Sequence, residues 1–197
     1  LHSDQIVESP TLISAAYYDD LTSASKSPYM PARSLHCIFQ SHTSSPLGDV
    51  LLAATEQGLA GVWFVQGQLH MPDSRLWARD EAHPTLRAAA QQLHDYFSGQ
   101  RQSFDLPLQP AWGTPFQRAV WQALRHIPYG RTSTYGEIAR RIGNPKAVRA
   151  VGAAIGQNPH SIIVPCHRVV GVNGSLTGFA GGLPRKQFLL AHEATHA

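Results

Sequence analysis

Between Thr114 and Gly156 the chain reads as a run of short helices set off by caps and stops, and this punctuation constrains the fold more than any other feature. Thr114 is placed to cap a helix whose first position is Pro115, where the absent N–H removes no hydrogen bond. Phe116, Ala119, Val120, Ala123, Leu124 and Ile127 recur at helical spacing and predict its buried stripe, until Pro128-Tyr129-Gly130 ends it. Thr134 with Glu137 three positions on is a capping-box signature, and Arg140, Arg141 and Gly143 are stop signals for the short helix that follows. Asn144 as cap and Pro145 as first residue then open another helix. Two short helices joined by a tight Gly-containing turn make a helix-turn-helix candidate.

The second of these helices has an unusual face. At about 100° per residue, Val148, Val151 and Ile155 fall together and are expected in the core. The opposite face carries Lys146, Arg149, Ala150 and Ala153, a basic start followed by almost no side chain. Alanine is a good helix former anywhere, but a smooth face in a positive field can also approach a groove wall closely. The field is legible in the charges. Residues 1–113 carry six Lys or Arg against eleven Asp or Glu, a net of −5, whereas residues 114–197 carry ten against two, a net of +8. Such a segment suits a polyanion, and nucleic acid is the expected partner.

Upstream, residues 1–34 are rich in Ser, Pro and Thr without sustained periodicity and read as an N-terminal extension. Apolar runs at Leu35 to Phe39, Val50 to Ala54 and Leu59 to Val65, separated by turn residues, predict a small antiparallel sheet. Leu86, Ala89, Ala90, Leu93 and Phe97 then recur at helical spacing between Pro84 and Gly99, giving one helix to cover it. The expected class is α+β: a sheet-and-helix domain over residues 35–110, then a mainly helical domain over 111–197 that holds the helix-turn-helix and a cysteine of interest.

That cysteine is Cys166, in Pro165-Cys166-His167-Arg168, entered by Ile162-Ile163-Val164 and left by Val169-Val170. A thiol is nucleophilic only as thiolate, and a neighbouring base or cation can lower its free pKa of about 8.5. His167 and Arg168 are candidates for that task. The alternative is a small buried hydrophobe at the end of a core strand. Cys37 is the only other cysteine, and the pair lacks disulfide-framework or metal-type spacing, which favours a reducing intracellular compartment. No apolar run approaches the roughly 20 residues needed to cross a bilayer, so neither membrane insertion nor secretion is expected.

From Thr114 to Glu193 the chain resembles the O6-alkylguanine-DNA alkyltransferases. The resemblance is carried by Thr114-Pro115-Phe116-Gln117, the Tyr135 helix, Asn144 through Gly152, Asn158-Pro159, Pro165 through Val169, Gly178, Gly181-Gly182 and Leu190-Ala191-His192-Glu193. It implies that Cys166 accepts the alkyl group, that Glu193 orients His167, and that His167 takes the cysteine proton through a water. It implies further that Asn158 braces the turn and Tyr135 supplies a donor to the departing guanine. Arg149 would fill the stack vacated by a flipped nucleotide, with Asn144, Lys146, Ala150, Ala153 and Arg168 on the DNA side. Tyr135, Val169 and Phe179 would line the substrate pocket. The implied partner is double-stranded DNA containing O6-alkylguanine, bound through the minor groove by a protein that needs no cofactor and no metal. A monomer in solution is the expectation, with cooperative assembly on DNA left open, in a prokaryotic cytoplasm or a eukaryotic nucleus.

One departure from the family bears on substrate range: Phe179-Ala180 stands where many relatives have a tyrosine, so a phenol hydroxyl is missing or moved. Some relatives hold zinc in the N-terminal domain, but Cys37 is the only cysteine there, and His36 and His42 read as ordinary strand or turn residues. His192-Glu193-Ala194-Thr195-His196 spells the H-E-x-x-H zinc pattern, yet a third ligand is wanting and orientation of His167 explains Glu193 better. Three rivals to alkyl transfer therefore stand: a non-reacting sensor of alkylated DNA, which Cys166 argues against; a transcription regulator, for which Ala150 and Ala153 leave little to read bases; and a zinc protease.

Overall fold

The computed structural model describes residues 38–197. The extension expected over residues 1–34, with Leu35, His36 and Cys37, lies outside the described residues. Strands β1 (Phe39–Thr43), β2 (Val50–Thr55) and β3 (Gly58–Phe64) form an antiparallel meander, with Thr43 opposite Val50 and Leu51 opposite Trp63. A two-residue strand, β4 (Ala78–Arg79), adds to β1 in parallel, so the sheet is mixed and ordered β3-β2-β1-β4. Neither β4 nor the extent of β1 follows from hydrophobicity. Gln40 and Ser41 are buried in β1, and Gln40 Nε2 donates to Ser74 O and Trp77 O, each at 3.0 Å. A polar strand satisfied by a distant loop leaves no apolar run to detect.

Side chains alternate across a strand, and here both faces are covered. Val50, Leu52, Ala54, Leu59, Val62 and Phe64 pack on helix α1 (Pro84–Phe97) through Leu86, Ala89, Leu93 and Tyr96. Leu51, Ala53, Ala60 and Trp63 face the other way, where Trp112 stacks on Trp63 with ring centres 5.7 Å apart. The outer edge of β3 would expose unpaired backbone groups. Two later segments occupy it: Leu59 exchanges bonds with Pro107 and Gln109, and Val62 with Pro159 and Ser161. The second of these joins the sheet directly to the segment leading to Cys166.

The helical half comprises α2 (Pro115–Leu124), β5 (Ser133–Thr134), α3 (Tyr135–Arg141), α4 (Val148–Gly156), a 3₁₀ turn (Cys166–Arg168), β6 (Val169–Val170) and α5 (Leu183–Thr195). Capping boxes are formed at Thr114 with Gln117 and at Thr134 with Glu137. The expected stripe of α2 needs one change. Ala119 is exposed, and Trp121 enters the core, its Nε1 donating to Ala154 O at 2.8 Å. The start of α4 is also corrected: Asn144 to Ala147 form a turn, with Ala147 N donating to Asn144 O, and the helix begins at Val148 rather than Pro145. Val148 therefore sits at an open end, 39% exposed, while Val151, Ala154 and Ile155 fill the core. The architecture is the expected α+β arrangement of sheet domain and helical domain.

Candidate active site and nucleic-acid interface

Local backbone geometry brings Cys166 into the interior. Ile162-Ile163-Val164 is not a strand: Ile162 has φ +72°, a left-handed conformation unusual for a β-branched residue. The chain turns there, with Val164 N donating to His160 O at 2.9 Å. Asn158, just past the end of α4, secures this turn. Its Nδ2 donates to Val164 O at 2.9 Å, His160 O at 3.3 Å and Cys166 Sγ at 3.1 Å, and its Oδ1 accepts from His160 N at 3.1 Å. Cys166 is 5% exposed and opens a 3₁₀ turn instead of continuing an extended segment.

Helix α5 supplies the second part of the site. Glu193 is buried and accepts His167 Nε2 at 2.7 Å, Tyr96 Oη at 2.9 Å, Arg168 Nε at 2.8 Å, Arg168 Nη2 at 2.9 Å and Gly130 N at 3.2 Å. Burial alone would raise its pKa, but the bonds from His167 and Arg168 prevail and hold it at about 2. A carboxylate can only accept, so Nε2 of His167 carries the proton. Nδ1 is then the basic nitrogen, and it is buried without a hydrogen-bond partner among the described residues. Burial lowers the His167 pKa despite Glu193, which leaves the imidazole neutral near pH 7. His192 and His196 do not share this environment: they bond to Tyr96 O and His192 O. The carboxylate of the apparent zinc pattern is thus committed to the His167–Arg168 network.

Burial pushes the Cys166 thiol up, opposed by Asn158, by the charge of Lys186 and by backbone N–H groups. The resting pair is therefore a thiol and a neutral imidazole, not an ion pair. Lys186 escaped sequence reasoning. Its side chain is fully buried, and Nζ donates to Val169 O at 2.5 Å, Thr177 O at 2.6 Å and Gly178 O at 3.5 Å, with no acid bonded to it among the described residues. Desolvation lowers its pKa while Cys166 raises it. A signal was present, since α5 opens with two cations and no acid at the end of a helix dipole that disfavours them. Tyr96 was likewise missed, since it lies 97 positions from its carboxylate partner.

Around the thiol, Val169 is fully buried, and Tyr135 and Phe179 pack on the same cluster as Cys166. Thr177 Oγ1 and Tyr135 Oη are hydrogen-bonded at 3.0 Å. Asn144, Lys146, Arg149, Ala150 and Ala153 are all exposed. Arg168 must be withdrawn from the DNA face. It is 6% exposed, and beyond its two bonds to Glu193 its Nη1 donates to Ile127 O at 2.6 Å. A buried carboxylate needs a cation, and Arg168 is spent on that requirement. His42, exposed in β1, is an ordinary strand residue.

Residues 115–195 match the 6-O-methylguanine DNA methyltransferase, DNA binding domain, and residues 38–110 match the ribonuclease-like domain of the same proteins. The chain belongs to the methylated-DNA–protein-cysteine methyltransferases. It is 54% identical over 153 residues to the Methanosarcina acetivorans protein of that name, covering 77% of this chain and 95% of the relative. The Haemophilus influenzae protein is 45% identical over 157 residues, 79% of this chain and 86% of its own length. The crystal structure of Mycobacterium tuberculosis OGT in complex with DNA superposes with a TM-score of 0.75 at 44% identity, covering 81% of this chain and 94% of that one. As a member of this family the protein is an enzyme of DNA alkyl transfer.

Proposed function

We propose that the protein binds duplex DNA, extrudes an O6-alkylguanine nucleotide and transfers the alkyl group to Cys166 in a single turnover. The observation that carries this reading is the chain of bonds from Asn158 to Cys166 Sγ and from His167 to Glu193, with His167 Nδ1 left as the one basic nitrogen of the network. In the reaction the thiol proton passes through a water to His167 Nδ1, and Glu193 stabilises the imidazolium. The sulfur then forms a bond to the alkyl carbon as the carbon–O6 bond breaks. The guanine takes up negative charge and accepts a proton, which the Tyr135 phenol supplies. Net, one proton moves from cysteine to guanine. Water does not readily cleave the resulting thioether, so the protein is consumed.

The target base lies inside a duplex, and extrusion costs on the order of a few kcal/mol of lost stacking. Arg149, exposed on α4, fills the gap. Asn144 and Lys146 approach the backbone, while Ala150 and Ala153 let α4 lie close in the minor groove, whose degenerate pattern suits a protein that ignores sequence. Phosphate contacts make binding fall with salt, with a log–log slope of about −0.9 per contact.

The test is intact and peptide mass spectrometry after incubation with duplex DNA containing O6-methylguanine. One methyl group on the Cys166 peptide, with guanine restored, is expected; Cys166→Ser is expected to bind the same DNA without transfer. Transfer by that variant would overturn the mechanism. Binding without modification of the unaltered protein would favour a non-reacting sensor.

A further inference from the structure

Arg185 and Lys186 share the unfavourable first turn of α5, but they face different parts of the molecule. Lys186 is held by carbonyls beside the thiol turn. Arg185 Nε donates to Leu47 O at 3.0 Å, in the turn between β1 and β2, and its Nη1 donates to Gly181 O at 2.9 Å. Its guanidinium carbon lies 4.5 Å from the centre of the Phe64 ring, at the end of β3. One planar fork thus joins two parts of the sheet to the loop from Phe179 to Gly182. Leu69 N adds a second tie, donating to Ala180 O at 2.9 Å. The loop also has no slack toward the sheet: a Cβ on Gly181 would lie 2.7 Å from Phe179 Cε1 and 2.9 Å from Phe64 Cδ2.

We propose that Arg185 is a positioning residue that sets the width of the alkyl pocket. By holding the Gly181 carbonyl against the sheet it fixes Phe179, and so limits the size of alkyl group that reaches Cys166. The inference rests on the reading of Cys166 as acceptor and Phe179 as pocket wall. It explains why a cation is retained at a helix N-terminus, where the dipole opposes it. A lysine could not substitute, because a compact ammonium has no plane to lay on the Phe64 ring while it bonds the two carbonyls.

The experiment compares single-turnover transfer to Cys166 from duplexes containing O6-methylguanine and O6-benzylguanine, in the full chain and in Arg185→Ala and Arg185→Lys. The readout is the ratio of benzyl to methyl rates, in which any loss of folded protein cancels. Both variants are expected to raise the ratio by about tenfold, the scale on which pocket size discriminates small apolar groups. A ratio equal to that of the unaltered protein, whatever the absolute rates, would overturn the proposal and leave Arg185 a structural tie. Transfer of neither adduct by the unaltered protein would instead sink the alkyl-transfer reading and this proposal together.

Discussion

His160 offers a stability prediction whose sign and window follow from its surroundings. The residue is 2% exposed, its Nε2 donates to Leu59 O at 2.9 Å, and its backbone belongs to the bridge with Val62. Desolvation lowers its pKa from 6.5 to about 4, outweighing the Leu59 bond. The folded state therefore binds fewer protons than the unfolded state between these values. Stability is fully present above pH 6.5 and is lost progressively as pH falls toward 4, by about 3 kcal/mol at 1.36 kcal/mol per pH unit. The perturbation is His160→Gln, which keeps a donor for Leu59 O and cannot titrate. Unfolding by urea, followed by fluorescence from pH 7.5 to 4, gives the stability difference between the two proteins. That difference is expected to move in favour of the variant by about 3 kcal/mol across the window. A difference independent of pH would refute the reasoning, even if the variant were less stable throughout.

Glu193→Gln breaks a buried ion pair and is expected to cost about 3–5 kcal/mol in denaturant unfolding. It should also remove the stability that the carboxylate contributes above pH 4.5 and loses as pH falls toward 2. Lys186→Met deletes a charge that lowers the Cys166 pKa, so the pH profile for reaction of Cys166 with iodoacetamide should shift to higher pH; an unmoved midpoint would deny the coupling. Lys146→Ala, at an exposed position beside α4, should reduce the log–log salt slope of DNA binding by about one contact without changing sequence preference.

What the sequence made legible was local. Thr114-Pro115 and Thr134 with Glu137 fix helix starts through bonds spanning three residues, and both formed as read. Cys166 and His167 stand out as neighbours in one short segment, whereas Asn158 is singled out only by the family resemblance. The errors are long-range. Arg168 reads as a surface cation in a basic segment, and only the fold brings Glu193, 25 positions away, against it. Lys186 looks like a solvated helix residue until β6 and the Thr177 segment close over it. Pro145 is a reasonable helix start, but a tight turn from Asn144 to Ala147 fits the same residues and displaces α4 to Val148.

The charge asymmetry of the sequence gains its meaning from where the two acids of the second half go. Glu137 accepts from Thr134 N and Ser133 Oγ at the start of α3, and Glu193 is sealed inside with His167 and Arg168. Of the ten cations, Arg168 and Lys186 are buried and Arg185 is half-buried, whereas Arg118, Arg125, Arg131, Arg140, Arg141, Lys146 and Arg149 are exposed. An acid buried with its own cation removes a negative charge from the surface without diluting the positive field outside. The same burial keeps Cys166 a thiol and His167 neutral at rest. Under the proposed single-turnover mechanism a protonated resting state is an advantage: adventitious electrophiles would meet a thiol, and the thiolate would form beside the alkyl carbon it is to attack.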